Sequence, residues 1–414
     1  MANNRITYAT AQLAIKDNRL STTNLIHGMY SGTTASGAMS TGGSTIDLNA
    51  DISSNWPATG TVVIEGSGTN EREYCTYTGI TAAQLTGVTR AADGTVDAVH
   101  VNGAKIEVAG WEIPLGVQSV SIGTAFSLED VFTLGQLDSY ENVEGIPEIE
   151  MTVERVMDGT KPLWLMVSDS DYSTLKGRTA NYKVDAAVSV FPDTQDSATG
   201  TADSTVTCSG MVTSALSYSM TTDGNFTESV TLTGSDKSWT NIEGIPAGVF
   251  DVAAAYSATS VGSGVLRSEE FNKAGSTLPA DIDSTNDHIQ SIDVSVDISR
   301  EEIFELGTKA AYFKAVSFPV TVSTTFEVVT DDGDGVEADS TVDNLTARQI
   351  TLLTTDGLTI NLGANNKLAS VDFSGFDASG GNGAVSYEYT NSNSITITHS
   401  GYSTAVDTNA LLEN

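Results

Sequence analysis

The stretch VQSVSIGTAFSLEDVFTLGQLDSYENVEGIPEIEMTVERV, Val117 to Val156, occurs in this chain twice. Ile289 to Val328, IQSIDVSVDISREEIFELGTKAAYFKAVSFPVTVSTTFEV, aligns with it without a gap, a step of 172 residues. Of the 40 aligned positions 11 are identical: Gln118/Gln290, Ser119/Ser291, Ser127/Ser299, Glu129/Glu301, Phe132/Phe304, Leu134/Leu306, Gly135/Gly307, Tyr140/Tyr312, Pro147/Pro319, Thr152/Thr324 and Val156/Val328. Low complexity does not place Phe, Tyr, Pro and Gly at matched positions over such a length. Internal repetition sets the architecture before any single strand does. The chain therefore reads as a duplicated β unit.

Inside the unit the pattern is that of strands. Val117, Ser119 and Ser121 alternate with Gln118, Val120 and Ile122, the period of two that sends successive side chains to opposite faces of a sheet. Ile149 to Val156 and its partner Val320 to Val329 are rich in β-branched residues, which fit a pleated, half-buried surface. Pro147 and Pro319 precede these strands, where a missing N–H disturbs no ladder. Gly135 and Gly307 close a short segment as a turn or bulge would. The plainest reading makes the shared residues core and turn positions; the sharper one makes Phe132, Leu134, Gly135, Tyr140, Pro147 and Phe304, Leu306, Gly307, Tyr312, Pro319 an interface common to both copies.

The run SLEDVFTLG, Ser127 to Gly135, and its echo SREEIFELG, each followed by a Tyr, a Pro and a long strand, resembles the tail-tube proteins of tailed bacteriophages. The resemblance covers the two repeats. It implies an all-β chain of two tandem tail-tube-like β-barrel or sandwich domains, in which strands of neighbouring subunits form a continuous cylinder around a channel for DNA. Some members of the family carry two tube domains per polypeptide and close a pseudo-sixfold ring with three subunits. The resemblance further implies a virion-tail protein assembled in the bacterial host cytoplasm, self-association into rings and stacked tubes, and contacts with tape-measure, sheath or baseplate proteins. No catalytic residue comes with it.

Residues 28–110 read as a small β module inserted into the first unit, which then comprises 1–27 and 111–240, with the second unit at 241–414. Ser31 to Thr45 is almost wholly Gly, Ser, Thr and Ala, the composition of a flexible lead-in. Thr61–Glu65 and Glu71–Thr78 read as strands between closely spaced turn signals. Gly87, Arg90, Asp93, Gly94, Ala98 and His100 resemble a small module recurrent in phage tail and baseplate proteins. The second repeat has no counterpart of this length. Ile6–Ile15, Tyr182–Phe191, Thr205–Met211 and Leu216–Met220 read as further strands, Pro162–Val167 as a short helix, and Ala410–Leu412 as a helical turn. A second match sets Leu216–Thr221 against Val385–Thr390, and Val230–Thr233 against Ile395–Thr398, with gaps.

Composition narrows the function classes. There are 53 acidic against 19 basic side chains, a formal charge of −34, and this opposes a protein that grips phosphates through Lys and Arg clusters. The same charge suits a surface past which DNA moves without sticking. The two cysteines, Cys75 and Cys208, form no disulfide framework and fit a reducing site of synthesis. MANNRITYATAQ lacks an apolar signal core, and no run of about 18 apolar residues occurs, so a soluble chain without membrane contact is expected.

Chemistry is sought and not found. His27, His100, His288 and His399 lie outside metal-ligand spacing of one another and of the cysteines, and no nucleophile elbow, phosphate loop or dinucleotide fingerprint is present. The adjacent acids Glu129-Asp130 and Glu301-Glu302 point to opposite faces of a strand, which suits solvated or interface charge better than a catalytic pair. Asp331, Asp332, Asp334, Glu337 and Asp339 miss the register of a calcium-binding EF-hand loop. No cofactor, metal or enzymatic activity is expected. Two further functions compete with the tube: a baseplate hub or tail-initiator ring, and a carbohydrate-binding adhesin. The adhesin requires an exposed aromatic patch, whereas Trp56, Trp111, Trp164 and Trp239 are scattered.

Overall fold

A computed structural model describes residues 11–17, 33–49, 59–64, 73–92, 97–109, 111–168, 183–191, 204–240, 264–280, 282, 287–307, 311, 313–330, 333–336, 345–375 and 383–400. Among these the chain is all-β apart from one five-residue helix and one 3-10 turn. The first part of the expected opening strand, residues 6–10, and the expected turn at 410–412 lie outside the described residues.

Strand β1 (Ala11–Asp17) leads into the inserted segment, whose strands are β2 (Thr33–Thr34), β3 (Thr45–Asp47), β4 (Gly60–Ile64), β5 (Glu73–Tyr77), β6 (Gly79–Thr81), β7 (Gln84–Thr86), β8 (Thr89–Ala92) and β9 (Lys105–Ala109). They form a five-stranded sheet, β2-β9-β4-β5-β8, and a three-stranded one, β3-β7-β6. Between them lies a separate apolar cluster that includes Ile46, Val62, Ile64, Tyr77, Leu85 and Ile106. Strand β10 (Trp111–Glu112) then pairs back onto β1, Ile15 facing Glu112 and Lys16 facing Trp111, so the chain returns beside the point where it left.

Inside the segment a buried ionic clasp ties β5 to the stretch around β8. Arg90 Nε and Nη2 donate to the two oxygens of Glu73 at 2.6 and 2.5 Å, His100 Nε2 lies 2.9 Å from Glu73 Oε2, and the N–H groups of Ala91 and Ala98 donate to the same carboxylate. Burial pushes the Glu73 carboxyl up, but the hydrogen bonds from His100, Arg90 and the two backbone N–H groups outweigh it and hold the pKa at about 2.

The remaining strands are β11 (Val117–Ala125), β12 (Leu128–Phe132), β13 (Ser139–Glu144) and β14 (Glu148–Val156); after helix α1 (Leu163–Val167) come β15 (Val184–Val190), β16 (Ser204–Thr221), β17 (Thr227–Gly234) and β18 (Asp236–Thr240). The second copy supplies β19 (His288–Asp297), β20 (Arg300–Ile303), β21 (Phe313–Val316), β22 (Thr321–Val329), β23 (Arg348–Leu353), β24 (Leu358–Ser374), β25 (Ala384–Ser392) and β26 (Thr396–His399). The helix falls where the apolar run from Pro162 to Val167 places it. Its buried Leu163, Trp164, Leu165 and Val167 pack into the main apolar cluster.

The repeat in sequence is a repeat in strand order. In the first copy β11 pairs β14, β14 pairs β17, and β17 pairs the second half of β16; in the second, β19 pairs β22, β22 pairs β25, and β25 pairs the second half of β24. The first half of each long strand crosses to another sheet, β16 joining β15 and β18, β24 joining β23 and β26. Alternation along every strand sends one row of side chains to the interior. On β14 Ile149, Met151 and Val153 are buried while Glu148, Glu150 and Glu154 are exposed. Each apolar side chain so buried stabilises the fold by roughly 1.5–3 kcal/mol. One apolar cluster runs through both copies.

Three sequence expectations are corrected here. Thr205–Met211 and Leu216–Met220 are parts of one 18-residue strand, β16. The closing match fails in space, since β25 lies directly against β22 whereas β16 is separated from β14 by β17. The partner of β25 is therefore β17, and that of β24 is β16. The ungapped alignment also slips by one residue in its last strand. Ser119 faces Glu154 and Val120 faces Val153 in the first copy, while Ser291 faces Glu327 and Ile292 faces Phe326 in the second. Glu154 thus corresponds to Glu327, a step of 173, and the Thr152/Thr324 and Val156/Val328 identities are not equivalences.

Candidate assembly interface

Several identities of the repeat acquire a reason in the geometry. Gln118 and Gln290 sit at the same β-bulge, between Val117 and Ser119 and between Ile289 and Ser291. Each glutamine Nε2 donates back to a backbone carbonyl at 3.0 Å, of Gly116 in one copy and His288 in the other. The serine that follows donates to a glutamate of the partner strand, Ser119 to Glu154 Oε2 at 3.3 Å and Ser291 to Glu327 Oε2 at 3.2 Å. Ser127 and Ser299 close the base of a hairpin, accepting the N–H of Gly145 at 2.7 Å and of Ser317 at 2.9 Å.

That hairpin is where the repeat turns outward. β12 pairs only β13, and β20 pairs only β21, as two-stranded ribbons apart from the large sheet among the described residues. The core reading of the shared residues is corrected at these positions. Phe132, Leu134 and Tyr140 are exposed, and so are Phe304 and Leu306; Leu134 at 104% and Leu306 at 105% stand wholly in solvent. Leu137 (99%), Phe126 and Leu128 extend the apolar surface of the first hairpin. Gly135 and Gly307 lie in the tips with φ of +89° and +102°, and an added Cβ would meet open space. Glycine is required there by the left-handed backbone alone. Pro147 is half-buried and Pro319 exposed, each just ahead of its strand. Tyr312 lies outside the described residues.

The acids Glu129, Asp130, Glu301 and Glu302 are all on these exposed ribbons. They differ in partner: Glu302 Oε1 is 2.7 Å from Lys314 Nζ, whereas Asp130 accepts a hydrogen bond from Asn142. The larger difference is at the base. Arg300 opens the second hairpin and donates through Nε and Nη2 to the carbonyl of Thr213, on the first copy's long strand, at 2.9 and 2.5 Å. Burial lowers the Arg300 pKa to about 10, so it stays charged at neutral pH. Its counterpart in the first copy is Leu128, 63% exposed. Sequence reasoning passed over Arg300, although an arginine aligned with a leucine was a readable signal.

The two copies meet edge to edge. The second half of β16 pairs antiparallel with β19, Ala215 facing Asp297 through to Thr221 facing Ser291. The result is a sheet of eight strands, β11-β14-β17-β16-β19-β22-β25-β24, four from each copy. One face packs inward. The other carries Ser, Thr and acids, among them Glu148, Glu150, Glu154, Asp293, Asp297, Glu327, Asp372 and Glu388. Lys367 is the one Lys or Arg among the described outward positions of these strands, and His288 opens β19. Among the described residues both outer edges are open: β11 pairs β14 alone, and the second half of β24 pairs β25 alone.

Of the remaining sequence candidates, His399 Nε2 lies 3.1 Å from Asp356 Oδ2, His288 is exposed, and His27 is outside the described residues, as are Asp331, Asp332, Glu337 and Asp339 of the acidic loop. Trp164 is buried and Trp239 is 59% exposed. No helix is long and apolar enough to cross a membrane among the described residues. Compared with known protein families and with curated proteins, the chain matches no family model and no curated relative.

Proposed function

We propose that this chain is the tube subunit of a bacteriophage tail, closing as a ring of three copies and stacking into a channel through which DNA passes. The observation that carries the reading is the eight-stranded sheet itself: two copies of one unit lie side by side with matched strand order, and among the described residues both outer edges remain open for a further neighbour. A closed ring needs the same contact to recur around its axis. Two copies per chain then give six units from three chains.

Two further features fit. The outward face of that sheet, rich in hydroxyls and carboxylates, would line the bore and repel phosphate rather than capture it. The two apolar hairpins, with Leu134, Leu137 and Leu306 wholly exposed, would supply contacts between successive rings. Such a protein works in the virion tail, after assembly in the host cytoplasm, beside tape-measure, sheath or baseplate proteins.

Native mass spectrometry of purified protein tests the reading. Three chains of 43.2 kDa give a ring of about 130 kDa. Negative-stain images of the same material should show stacked annuli with threefold symmetry. A chain that stays monomeric at high concentration, with no annuli, would sink the proposal.

A further inference from the structure

The joint between the two copies inside one chain is a template for a joint between chains. Both partners of the internal joint have counterparts at the open edges. β19 corresponds to β11 through the shared bulge at Gln290 and Gln118. The second half of β16 corresponds to that of β24, and here too a bulge marks the register. It falls between Thr213 and Ala215 against β17, and between Leu368 and Ser370 against β25. On this match Leu216 becomes Val371, Ser217 becomes Asp372, and Tyr218 becomes Phe373. On the other strand Val296 becomes Thr124, Ser295 becomes Gly123, and Val294 becomes Ile122.

Burial separates the two situations. Leu216, Val294 and Val296 are each 2% exposed or less where the copies meet. Their counterparts Val371, Ile122 and Thr124 are less deeply covered at the open edges. Val371 and Ile122 pack against the main apolar cluster, yet among the described residues one side of each lacks the neighbouring strand that covers the internal set.

We infer that the β24 edge of one chain pairs antiparallel with β11 of a second copy in the register of the internal joint, Val371 facing Thr124, Asp372 facing Gly123 and Phe373 facing Ile122. The partner is a second copy because each open edge reproduces one half of a joint that the chain already makes with itself. The two joints differ at one point. Inside the chain Arg300 donates to the carbonyl of Thr213; between chains Leu128 comes to the counterpart of Thr213, Leu368, so an apolar contact replaces the guanidinium. The inference rests on the ring reading above and adds the strands, the register and the chemistry of the contact.

Paired cysteines test it, because opposed residues of antiparallel strands hold their Cβ atoms about 4.5–5.5 Å apart. Gly123→Cys with Asp372→Cys places both thiols on the open face, and a Cβ at Gly123 meets only Glu150 O, at 3.9 Å. Gly123→Cys with Ser370→Cys tests a slip of two residues that keeps the same face. Ser217→Cys with Ser295→Cys reports the internal joint and serves as the positive control. Cys75 and Cys208 are buried and give little background. Under mild oxidation the 123/372 variant should convert monomer on a non-reducing gel into covalent species ending at three chains, while 123/370 stays at the background of the unsubstituted protein. Native mass spectrometry of the reduced variants separates the two kinds of failure. Three-chain rings that link only through 123/370, or through neither pair, overturn the register and leave the ring standing. No three-chain ring at all overturns the ring reading and this inference with it.

Discussion

In the first copy Arg155 of β14 faces Glu228 of β17; at the same place in the second copy Val328 of β22 faces Val385 of β25. One register position, buried in both, is an ion pair in one copy and two valines in the other. The helix explains the difference. Glu228 accepts the N–H groups of Leu163 and Trp164 at 2.8 and 3.0 Å and the Tyr218 hydroxyl at 2.7 Å, while Arg155 Nε lies 3.1 Å from Oε2, the oxygen that also accepts Leu163. Burial, and then the neighbouring carboxylate, push the Tyr218 phenol well above its ordinary range, so it remains a donor. Among the described residues the second copy sets no helix against this position and closes it with Val328 and Val385. Arg300 against Leu128 makes the reverse exchange at the hairpin base. A duplicated core can therefore fill one register position with a buried ion pair in one copy and with two apolar side chains in the other.

The largest effect should come from breaking the ion pair on one side. Arg155→Ala leaves the Glu228 carboxylate buried without its counter-charge and should cost about 3–5 kcal/mol, read as a lower midpoint in chemical denaturation. Importing the second copy's solution, Arg155→Val with Glu228→Val, should cost less than Glu228→Val alone. It should still fall short of the parent protein, because the Leu163 and Trp164 N–H groups and the Tyr218 hydroxyl lose their acceptor. A double variant as unstable as the worse single one would show that the two sites are not interchangeable.

The segment between β1 and β10 is a second asymmetry among the described residues, and acid should isolate it. Glu73 has a folded pKa of about 2, below the ordinary glutamate value of about 4.3. Its contribution is therefore fully present above about pH 4.3 and is lost as pH falls toward 2. Hydrogen exchange across β5 and β8 should accelerate through that window in the parent protein. Glu73→Gln should show the fast exchange already at neutral pH, with the strands of the two copies unaffected. Acid loosening that begins in β14 or β22 instead would tie the segment to the main body.

Much of this comparison was readable beforehand, but not its meaning. The repeated Gln-Ser pair was visible as identity, yet only strand pairing shows that it makes a bulge. The one-residue slip escaped because Thr and Val recur along both strands, so adjacent registers score alike. The false match of Leu216–Thr221 with Val385–Thr390 has the same origin, since Tyr, Ser and Thr alternate in each. For Leu134 and Leu306 the sequence leaves core and interface both open, because an apolar residue carries no mark of exposure. What covers it is decided by whether its ribbon joins the large sheet, and among the described residues these ribbons do not. The helix at Leu163–Val167, by contrast, was legible, because its apolar run has clear local edges.

Exchanging the hairpin bases gives a smaller effect. Arg300→Leu removes two charge-assisted hydrogen bonds to Thr213 O and should cost about 1.5–3 kcal/mol, concentrated in β20 and β21. Hydrogen exchange of residues 300–316 should rise while that of 128–144 stays as it was. Equal changes in both hairpins would show that Arg300 does not distinguish them.

The smallest effect on stability should accompany the largest effect on assembly. Leu134 and Leu137 stand wholly in solvent on the first hairpin, so Leu134→Ser with Leu137→Ser should move the unfolding free energy by no more than about 0.5 kcal/mol per site. If their exposure serves contact between rings, the variant should still form three-chain rings, because the sheet edges are untouched, yet its stacks in negative stain should be much shorter. Leu306→Ser makes the same test on the second hairpin, whose base is anchored by Arg300. A weaker effect there would mean that the unanchored hairpin carries more of the axial contact. Unchanged stack length in all three substitutions would leave the hairpins without a part in assembly.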